Sequence, residues 1–176
     1  MNVQDRVKNT IRDVADFPKA GIIFKDITPI MQDIQLCTDI VEFTKNNLYS
    51  LKIEGIAGIE SRGFLLGMPL AMALKVPFIL IRKKGKLPYK TVCHSYNLEY
   101  GSAEIEMHVD AVKPGQRILI HDDLLATGGS ASAAAELILK QGAIVEGFNF
   151  LVELSFLNGA NVISKYSENI SNLVRY

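Results

Sequence analysis

Cysteine is scarce in this sequence, and the two cysteines are far apart. Cys37 and Cys93 are the only ones among 176 residues, and neither belongs to a CxxC pair. A disulfide framework needs several cysteines and a structural zinc site needs ligands at short spacings, so the sequence supports neither. We expect two ordinary thiols in a reducing compartment.

An excess of charge of one sign is also lacking. The chain has 19 Lys and Arg residues against 19 Asp and Glu residues, so its formal net charge is zero. Composition therefore gives no support for a protein that coats nucleic acid or an anionic membrane surface. With 176 residues, of which 48% are hydrophobic, the chain is long enough to form one domain with a sizeable core.

No segment has the pattern of a secretory signal or of a membrane span. Charged residues between Asp5 and Asp13 interrupt the first stretch of the chain. The longest apolar stretch, residues 64–81, is interrupted by Pro69, Lys75 and Pro77, which is typical of a buried helix followed by a buried strand. We expect a cytoplasmic protein without a membrane partner.

Hydrophobic periodicity predicts the order of helices and strands. Val3, Val7, Ile11 and Val14 recur at helical spacing, so an amphipathic helix is predicted to open the chain and to stop at Phe17-Pro18. Extended segments are predicted at residues 22–27, 56–59, 78–81, 117–121 and 145–152, and further helices at residues 36–51, 64–74 and 130–141. Apolar strands that alternate with helices favour an α/β fold, with a mostly parallel sheet covered by helices on both faces.

One part of the chain has a different period. Residues 91–98 and 103–109 alternate apolar and polar side chains, and Glu99-Tyr100-Gly101-Ser102 lies between them. Alternation with a period of two on both sides of a short connection predicts a β-hairpin. We expect this hairpin to project from the βα pattern.

Residues 117–130 carry the strongest chemical signal. An apolar strand is followed by Asp122-Asp123 and then by a loop of small residues, 126–130, that leads into a helix. Free N–H groups at a helix N-terminus bind phosphate, and carboxylates accept hydrogen bonds from vicinal ribose hydroxyls, so the inferred ligand is a ribose 5-phosphate unit. The alternative is an ordinary turn with a solvated acidic pair. No GxxxxGK[ST] motif and no GxGxxG motif after a strand is present.

The same run resembles the phosphoribosyl pyrophosphate signature of type I phosphoribosyltransferases, in which an apolar strand and two acids precede a T-G-G-[ST] turn. The resemblance implies that Asp122 and Asp123 hold the ribose hydroxyls. It implies a 5-phosphate site at Ala126, Thr127, Gly128, Gly129 and Ser130, with Leu125 bordering both the phosphoribosyl and the base sites. Ser130 stands where threonine is usual, and His121 stands at a commonly apolar position and is expected to pack in the strand.

Residues 17–29 resemble the F-P-x-x-G-[IV]-x-F-[KR]-D-I-[ST]-P pattern of the adenine-specific members of that family. In those enzymes this segment forms a hood over the base. The resemblance implies that Phe24 stacks on adenine, that the Ile23 backbone pairs with the adenine edge and that the Lys25 backbone N–H reaches N7. The alternative for this segment alone is a surface turn with Phe24 in the core.

Two further segments match the family. Glu60-Ser61-Arg62-Gly63-Phe64 is similar to its pyrophosphate loop, in which a non-proline cis peptide occurs, so the Ser61–Arg62 bond is the candidate. Residues 82–90 and 95–101 are similar to its R-K-x-G-K-L-P segment and its flexible loop with S-Y-x-L-E-Y-G. The resemblance implies pyrophosphate binding by Ser61, Arg62, Arg82 and Lys86, and catalysis by Glu99, Tyr100 and Arg62.

Taken together, the resemblance implies an adenine phosphoribosyltransferase activity. Adenine and 5-phosphoribosyl 1-pyrophosphate would give AMP and pyrophosphate, with Mg²⁺ bound through the substrate rather than by firm protein ligands. It further implies a homodimer and a single domain over residues 1–176, with a hood at about residues 1–32 and a catalytic hairpin at about residues 83–109. Residues 153–159 also resemble the family's E-L-x-F-L-x-G segment. The alternatives are a phosphoribosyltransferase for another base and a regulator that has kept only the sugar-phosphate site.

Overall fold

The computed structural model describes residues 1–97 and 102–176. Two short 3₁₀ turns lie at Thr28–Gln32 and Ser155–Leu157. The helices are α1 Val3–Thr10, α2 Ile34–Asn47, α3 Gly63–Leu74, α4 Gly129–Lys140 and α5 Gly159–Ile163. The strands are β1 Arg12–Ala15, β2 Ile23–Asp26, β3 Gly55–Ile59, β4 Phe78–Lys83, β5 Thr91–Asn97, β6 Ser102–His108, β7 Arg117–Leu125, β8 Ile144–Glu153 and β9 Ile170–Arg175.

A mixed seven-stranded sheet forms the centre of the molecule. Its strand order is β5-β6-β4-β3-β7-β8-β9. Each neighbouring pair among β4, β3, β7, β8 and β9 is parallel. Strand β6 pairs with β4 in antiparallel fashion, and β5 pairs with β6 in the same way. The predicted α/β class with a mostly parallel sheet is therefore confirmed.

Helices cover both faces of this sheet. Side chains of β7 alternate between the two sides: Ile118 and Ile120 join the core cluster that contains α4, whereas Leu119 packs with Leu70 of α3. The second face also receives α1 and α2 through Val7 and Leu36. Burial on both faces explains why the central strands are apolar throughout.

The register of β3 against β7 determines where the functional residues lie. Gly58 is the partner of His121, so the loop after β3 lies beside Asp122 and Asp123 at the carboxyl end of β7. Gly58 cannot be larger, because an added Cβ would lie 2.3 Å from the Phe78 ring. This end of an open parallel sheet is where ligands bind in such folds.

The first helix is shorter than the periodicity predicted. α1 ends at Thr10, and Val14 belongs to β1, where it pairs with Phe24 of β2. Val7 is buried within the helix as the helical spacing predicts, whereas Ile11 is buried but extended just after it, so the prediction of a helix was wrong for Ile11 and Val14. The backbone groups of residues 12–15 bond instead to those of residues 23–26, which form a separate two-stranded sheet.

The predicted hairpin is present as β5 and β6, but it is joined to the body of the molecule. β6 extends the central sheet through Arg82 and Lys83 of β4. β5 packs on α4, where the Tyr96 hydroxyl lies 3.3 Å from Ser130 Oγ and Lys140 Nζ donates to the Cys93 carbonyl at 3.2 Å. The predicted catalytic residues Glu99 and Tyr100 lie outside the described residues.

The last part of the chain forms elements that the sequence pattern did not predict. α5 follows the turn at Asn158, and β9 pairs with β8 at one edge of the sheet. Within residues 1–97 and 102–176, no helix combines the length and the apolar character that crossing a bilayer requires.

Candidate functional site

A cleft of about 480 Å³ lies at the carboxyl ends of β3 and β7. It brings together three segments that are distant in sequence: the loop after β3, the end of β4 and the end of β7 with its following loop. Its walls are formed by Ile59, Glu60, Ser61, Arg62, Lys83, Asp122, Asp123, Leu124, Ala126 and Ser130. Among the predicted site residues, the cleft contains Ser61 and Arg62 from the pyrophosphate loop, both aspartates of the ribose site, and Ala126 and Ser130 from the phosphate loop.

Arg62 stands at the centre of the cleft. Its Nε lies 2.7 Å from Asp123 Oδ2, and its guanidinium carbon lies 5.3 Å from the centroid of the Phe24 ring. One side chain thus contacts both a predicted ribose-binding carboxylate and the predicted base-stacking ring. A planar guanidinium suits both contacts, because it donates in a fixed fork and also lies well over aromatic faces.

The two adjacent carboxylates at the end of β7 are held at an electrostatic cost. Burial raises the pKa of Asp122 well above its usual value, and the neighbouring Asp123 raises it further. Burial also raises the pKa of Asp123, although the Arg62 charge opposes this shift. Such a pair is suited to binding hydroxyl donors or a cation, which would stabilise the charged form.

Gly63 allows this close arrangement. A Cβ atom at this first residue of α3 would lie 2.9 Å from both Asp122 Oδ1 and the His121 carbonyl oxygen. The N-terminus of α3 therefore abuts the end of β7, and the helix dipole adds positive potential beside the carboxylates.

His121 is directed away from the cleft. Its ring is buried, and Nδ1 lies 2.8 Å from Asn149 Oδ1. Burial lowers its pKa to about 4, so the ring is neutral at physiological pH. It packs within the strand, as expected from the sequence.

The loop from Ala126 to Ser130 encloses a smaller cavity of about 80 Å³, which Leu125 also lines. Gly128 has a left-handed conformation with φ of 83° and immediately precedes α4. Gly159 lies against this turn, since a Cβ atom there would be 2.2 Å from the Ala126 carbonyl oxygen and 3.0 Å from the Gly128 nitrogen. The turn is thereby held open at the N-terminus of a 12-residue helix, an arrangement that binds anions.

The basic residues after β4 are placed differently from one another. Arg82 Nε donates to Glu60 Oε2 at 3.1 Å and its Nη1 donates to the Lys86 carbonyl, and neither Arg82 nor Lys86 lines the cleft. Lys83, which the motif comparison did not single out, lines it instead. The period of a strand is the signal that could have found it, because Arg82 and Lys83 face opposite sides.

Glu60 is the second cleft residue that sequence reasoning left without a role. Burial opposes its ionisation, but hydrogen bonds from the Lys83 backbone N–H and from Arg82 outweigh it and lower the pKa of Glu60. Its carboxylate therefore joins the β3 loop to the end of β4. Nearby, the buried Glu106 carboxylate accepts the backbone N–H groups of Lys86 and Leu87, which positions the Lys86 segment.

The predicted base-binding residues lie on β2 next to Arg62. Phe24 is half-buried and makes an edge contact with Phe17 at a centroid distance of 5.1 Å. Ile23 is 60% exposed at the end of the two-stranded sheet, where it pairs with Ala15. The alternative in which Phe24 belongs to the core does not match its partial exposure and its contact with Arg62.

One detail of the loop after β3 differs from the expectation. The non-proline cis peptide lies between Glu60 and Ser61, one bond before the Ser61–Arg62 bond that the motif suggested. A second cis bond joins Phe17 to Pro18. Ser61 and Arg62 are nevertheless both in the cleft, with Ser61 exposed and Arg62 half-buried.

Comparisons with known proteins agree on one family. The family model described as "Phosphoribosyl transferase domain" matches residues 24–148. The adenine phosphoribosyltransferase of Cytophaga hutchinsonii is 50% identical over 174 residues, covering 99% of this chain and 96% of the relative.

Two crystal structures have the same fold over nearly the whole chain. That of the adenine phosphoribosyltransferase from Thermoanaerobacter pseudethanolicus superposes with a TM-score of 0.94 at 45% identity, covering 98% of this chain and 99% of the other. That of the Saccharomyces cerevisiae enzyme, solved with an imino-altritol bisphosphate and adenine, gives 0.92 at 38% identity and covers 98% of both chains.

The buried carboxylate pair leads to a prediction about stability. A group whose pKa is raised by folding contributes stability below its unfolded pKa, and this contribution is lost as the pH rises through the folded pKa. At pH 7 both aspartates therefore destabilise the fold. Asp122→Asn should raise the free energy of unfolding in urea at pH 7, and by more than Asp123→Asn, because the pKa of Asp122 is raised further.

The exposed Asp110→Asn is the matched control, and its stability should not change. The advantage of Asp122→Asn should also shrink as the pH is lowered through the raised pKa of Asp122, because the wild-type side chain is then protonated. A loss of stability in Asp122→Asn at pH 7 would show that the carboxylate is a net stabilising group.

Proposed function

The chain belongs to the phosphoribosyltransferase family, and on that premise we propose that it joins adenine to 5-phosphoribosyl 1-pyrophosphate, giving AMP and pyrophosphate. The observation that carries the proposal is the position of Arg62, which lines the cleft beside Asp123 and also lies over the Phe24 ring of β2. The relatives over nearly the full length are named adenine phosphoribosyltransferases, and the yeast structure contains adenine. The reaction is that of a pentosyltransferase in purine salvage.

The phosphoribosyl group is bound by the end of β7 and the loop that follows. Asp122 and Asp123 accept hydrogen bonds from the ribose hydroxyls, which supports their ionised forms in spite of burial. Residues 126–130 bind the 5-phosphate through backbone N–H groups and the hydroxyls of Thr127 and Ser130. The adjacent N-terminus of α4 adds a favourable potential of about 0.3–1 kcal/mol.

Adenine binds between β2 and the cleft. Phe24 stacks on the purine, and the backbone of Ile23 and Lys25 pairs with its edge, with Leu125 beneath. The exposure of Ile23 supports this assignment, because the residue is accessible to a ligand. When substrates bind, Arg62 exchanges its contact with Asp123 for the pyrophosphate, and the ribose hydroxyls take its place on the carboxylate.

The pyrophosphate group lies between the loop after β3 and the end of β4. Ser61 and Arg62 contact it directly, Lys83 faces it from the cleft wall, and Arg82 and Lys86 approach from the neighbouring segment. Mg²⁺ would fit this site as an ion bound mainly through the substrate phosphates, with the cleft carboxylates nearby and no firm set of protein ligands among the residues that the structure describes. Bound there, it would supply positive charge beside the departing pyrophosphate.

Displacement at ribose C1 passes through an oxocarbenium-like state. The ribosyl carbon becomes positive, and Asp122 and Asp123 stabilise it through the hydroxyls that they hold. Arg62, Arg82 and Lys86 stabilise the negative charge that develops on pyrophosphate. Glu99 acts as the general base that accepts a proton from adenine, and Tyr100, the next residue in the sequence, acts with it at the reaction centre. The hairpin excludes water, which would otherwise hydrolyse the sugar diphosphate.

The protein is further proposed to be a cytoplasmic homodimer. Two free thiols, Cys37 and Cys93, support a reducing compartment. Leu65, Met68 and Met72 are 46%, 47% and 68% exposed at helical spacing on α3, and an exposed apolar stripe of this kind supports a protein interface. Because α3 begins at Gly63, a dimer formed there would border the Arg62 loop.

The reaction is tested by mixing the protein with 5-phosphoribosyl 1-pyrophosphate, Mg²⁺ and one free base at a time. We expect AMP and pyrophosphate from adenine only, and little product when Mg²⁺ is omitted. Product only from hypoxanthine, guanine or orotate would overturn the base assignment and keep the sugar-phosphate site. Binding of the sugar diphosphate without turnover of any base would favour a regulator.

The role of Glu99 is tested by Glu99→Gln. We expect turnover to fall by about 10²- to 10⁴-fold with little change in the KM for adenine, because a positioned carboxylate contributes that much to proton transfer. Glu104→Gln in the same hairpin is the matched control, since Glu104 pairs with Lys84 on the exposed surface. A turnover number near wild type for Glu99→Gln would exclude the role.

The dimer is tested by Met68→Glu, with Leu139→Glu as the control. Both side chains are exposed to a similar extent, 47% and 45%, on two different helices, α3 and α4. We expect light scattering after size exclusion to give a dimer for wild type and Leu139→Glu, and a monomer for Met68→Glu. A dimeric Met68→Glu would place the interface elsewhere.

A further inference from the structure

The side chain of Lys25 is enclosed on two sides, although β2 lies at the surface. Its Nζ lies 2.7 Å from Asp13 Oδ1 and 3.9 Å from the centroid of the Tyr176 ring. The Lys25 side chain is only 14% exposed, which is unusual for a lysine on a two-stranded sheet. The ammonium thus has a carboxylate on one side and an aromatic face on the other.

The two partners belong to different parts of the fold. Asp13 is the cross-strand partner of Lys25 in the small sheet, so that ion pair lies within the hood. Tyr176 follows β9 and is fixed to the central sheet, because its N–H donates to the Glu153 carbonyl at 3.0 Å and its own carbonyl accepts from Ser155 at 2.9 Å. Its side chain also packs against the core cluster that contains Val7 and Leu36.

The contact between Lys25 and Tyr176 therefore joins the hood to the carboxyl end of the central sheet. The hood needs such a tie, because its two strands of four residues form a separate sheet and Ile23 is largely exposed. A cation held 3.9 Å above a partly buried ring is attracted by the ring's negative face, and the attraction grows as water is excluded. The backbone of residues 23–25 moves with the side chain of Lys25.

From this geometry we propose that Tyr176 is a positioning residue for base recognition, which acts by holding Lys25 and so the hood at a fixed height above the cleft. The proposal rests on the assignment of adenine to the backbone of residues 23–25. It assigns a function to the Lys25 side chain, whereas the proposed contact with the base involves only the Lys25 backbone. The face of the Tyr176 ring is the active part, and its hydroxyl is dispensable.

The test compares Tyr176→Leu with Tyr176→Phe. Leucine keeps apolar volume but has no ring face, and we expect a rise of about 3- to 10-fold in the KM for adenine. The turnover number and the KM for 5-phosphoribosyl 1-pyrophosphate should stay within about twofold of wild type, because the hood touches neither the ribose nor the phosphate. Phenylalanine keeps the ring, so Tyr176→Phe should stay within about twofold of wild type in all three constants.

A second pair of variants tests the same contact from the other side. Lys25→Met removes the ammonium and keeps the backbone, and it should raise the KM for adenine as Tyr176→Leu does. The double variant should be no worse than either single one, since both remove one interaction. Lys8→Met is the matched control, because Lys8 of α1 lies 5.9 Å from the centroid of the same ring but lies outside β2, which carries the backbone assigned to the base.

Adenine binding to each variant, measured by calorimetry in the presence of pyrophosphate, separates this proposal from the proposed reaction. If wild type forms no AMP but binds adenine, a weaker affinity in Tyr176→Leu alone still supports the positioning role. Equal effects of phenylalanine and leucine would overturn it, and so would an unchanged affinity in Tyr176→Leu. A lower turnover number, a rise of similar size in both KM values and a lower melting temperature in Tyr176→Leu would likewise overturn it, because this combination indicates a structural role.

Discussion

In the centre of the sheet, β3 pairs in parallel with β7 so that Gly58 lies opposite His121. Both strands end at the same edge, and the loop after β3 therefore meets the carboxylates after β7. Two glycines make the approach possible, since Gly58 faces the Phe78 ring and Gly63 abuts Asp122. The distance of 2.7 Å between Arg62 and Asp123 is a direct result of this ladder. A shift of register by one residue would separate the charges and reverse the facing of every side chain in β7.

The electrostatic character of the cleft follows from the same arrangement. Two adjacent carboxylates are partly removed from water, and only one of them has a guanidinium partner. In the proposed complex, hydroxyl groups of the ligand compensate the repulsion between the two carboxylates. The empty site can therefore lower the stability of the fold and still bind its ligand specifically. Asp122 and Asp123 thus illustrate the general exchange between stability and function.

The sequence predicted the parts of the fold in which one physical signal dominates. Apolar strands such as 117–121 and the small-residue loop 126–130 carry strong local patterns, and the structure has them within a few residues. Val14 was assigned to a helix because it continues a helical spacing, whereas tertiary pairing with Phe24 decided its conformation. β9 has mixed polar and apolar residues at a sheet edge, where periodicity is weak. Arg82 and Lys83 lie beyond the strand predicted at residues 78–81, and pairing with β6 extends β4 to Lys83, so the strand period that separates their side chains applies there too.

The close contact between Gly159 and the turn at Gly128 has a consequence for how the protein is made. The turn is held in shape by a residue that follows α4 and β8 in the chain. During synthesis from the N-terminus, the strand, the two aspartates and the loop all leave the ribosome before Gly159 does. A nascent chain therefore contains the proposed phosphate-binding residues before it contains the residue that packs against their turn. We expect a bound phosphate group to stabilise the fold only after the segment around Gly159 has docked.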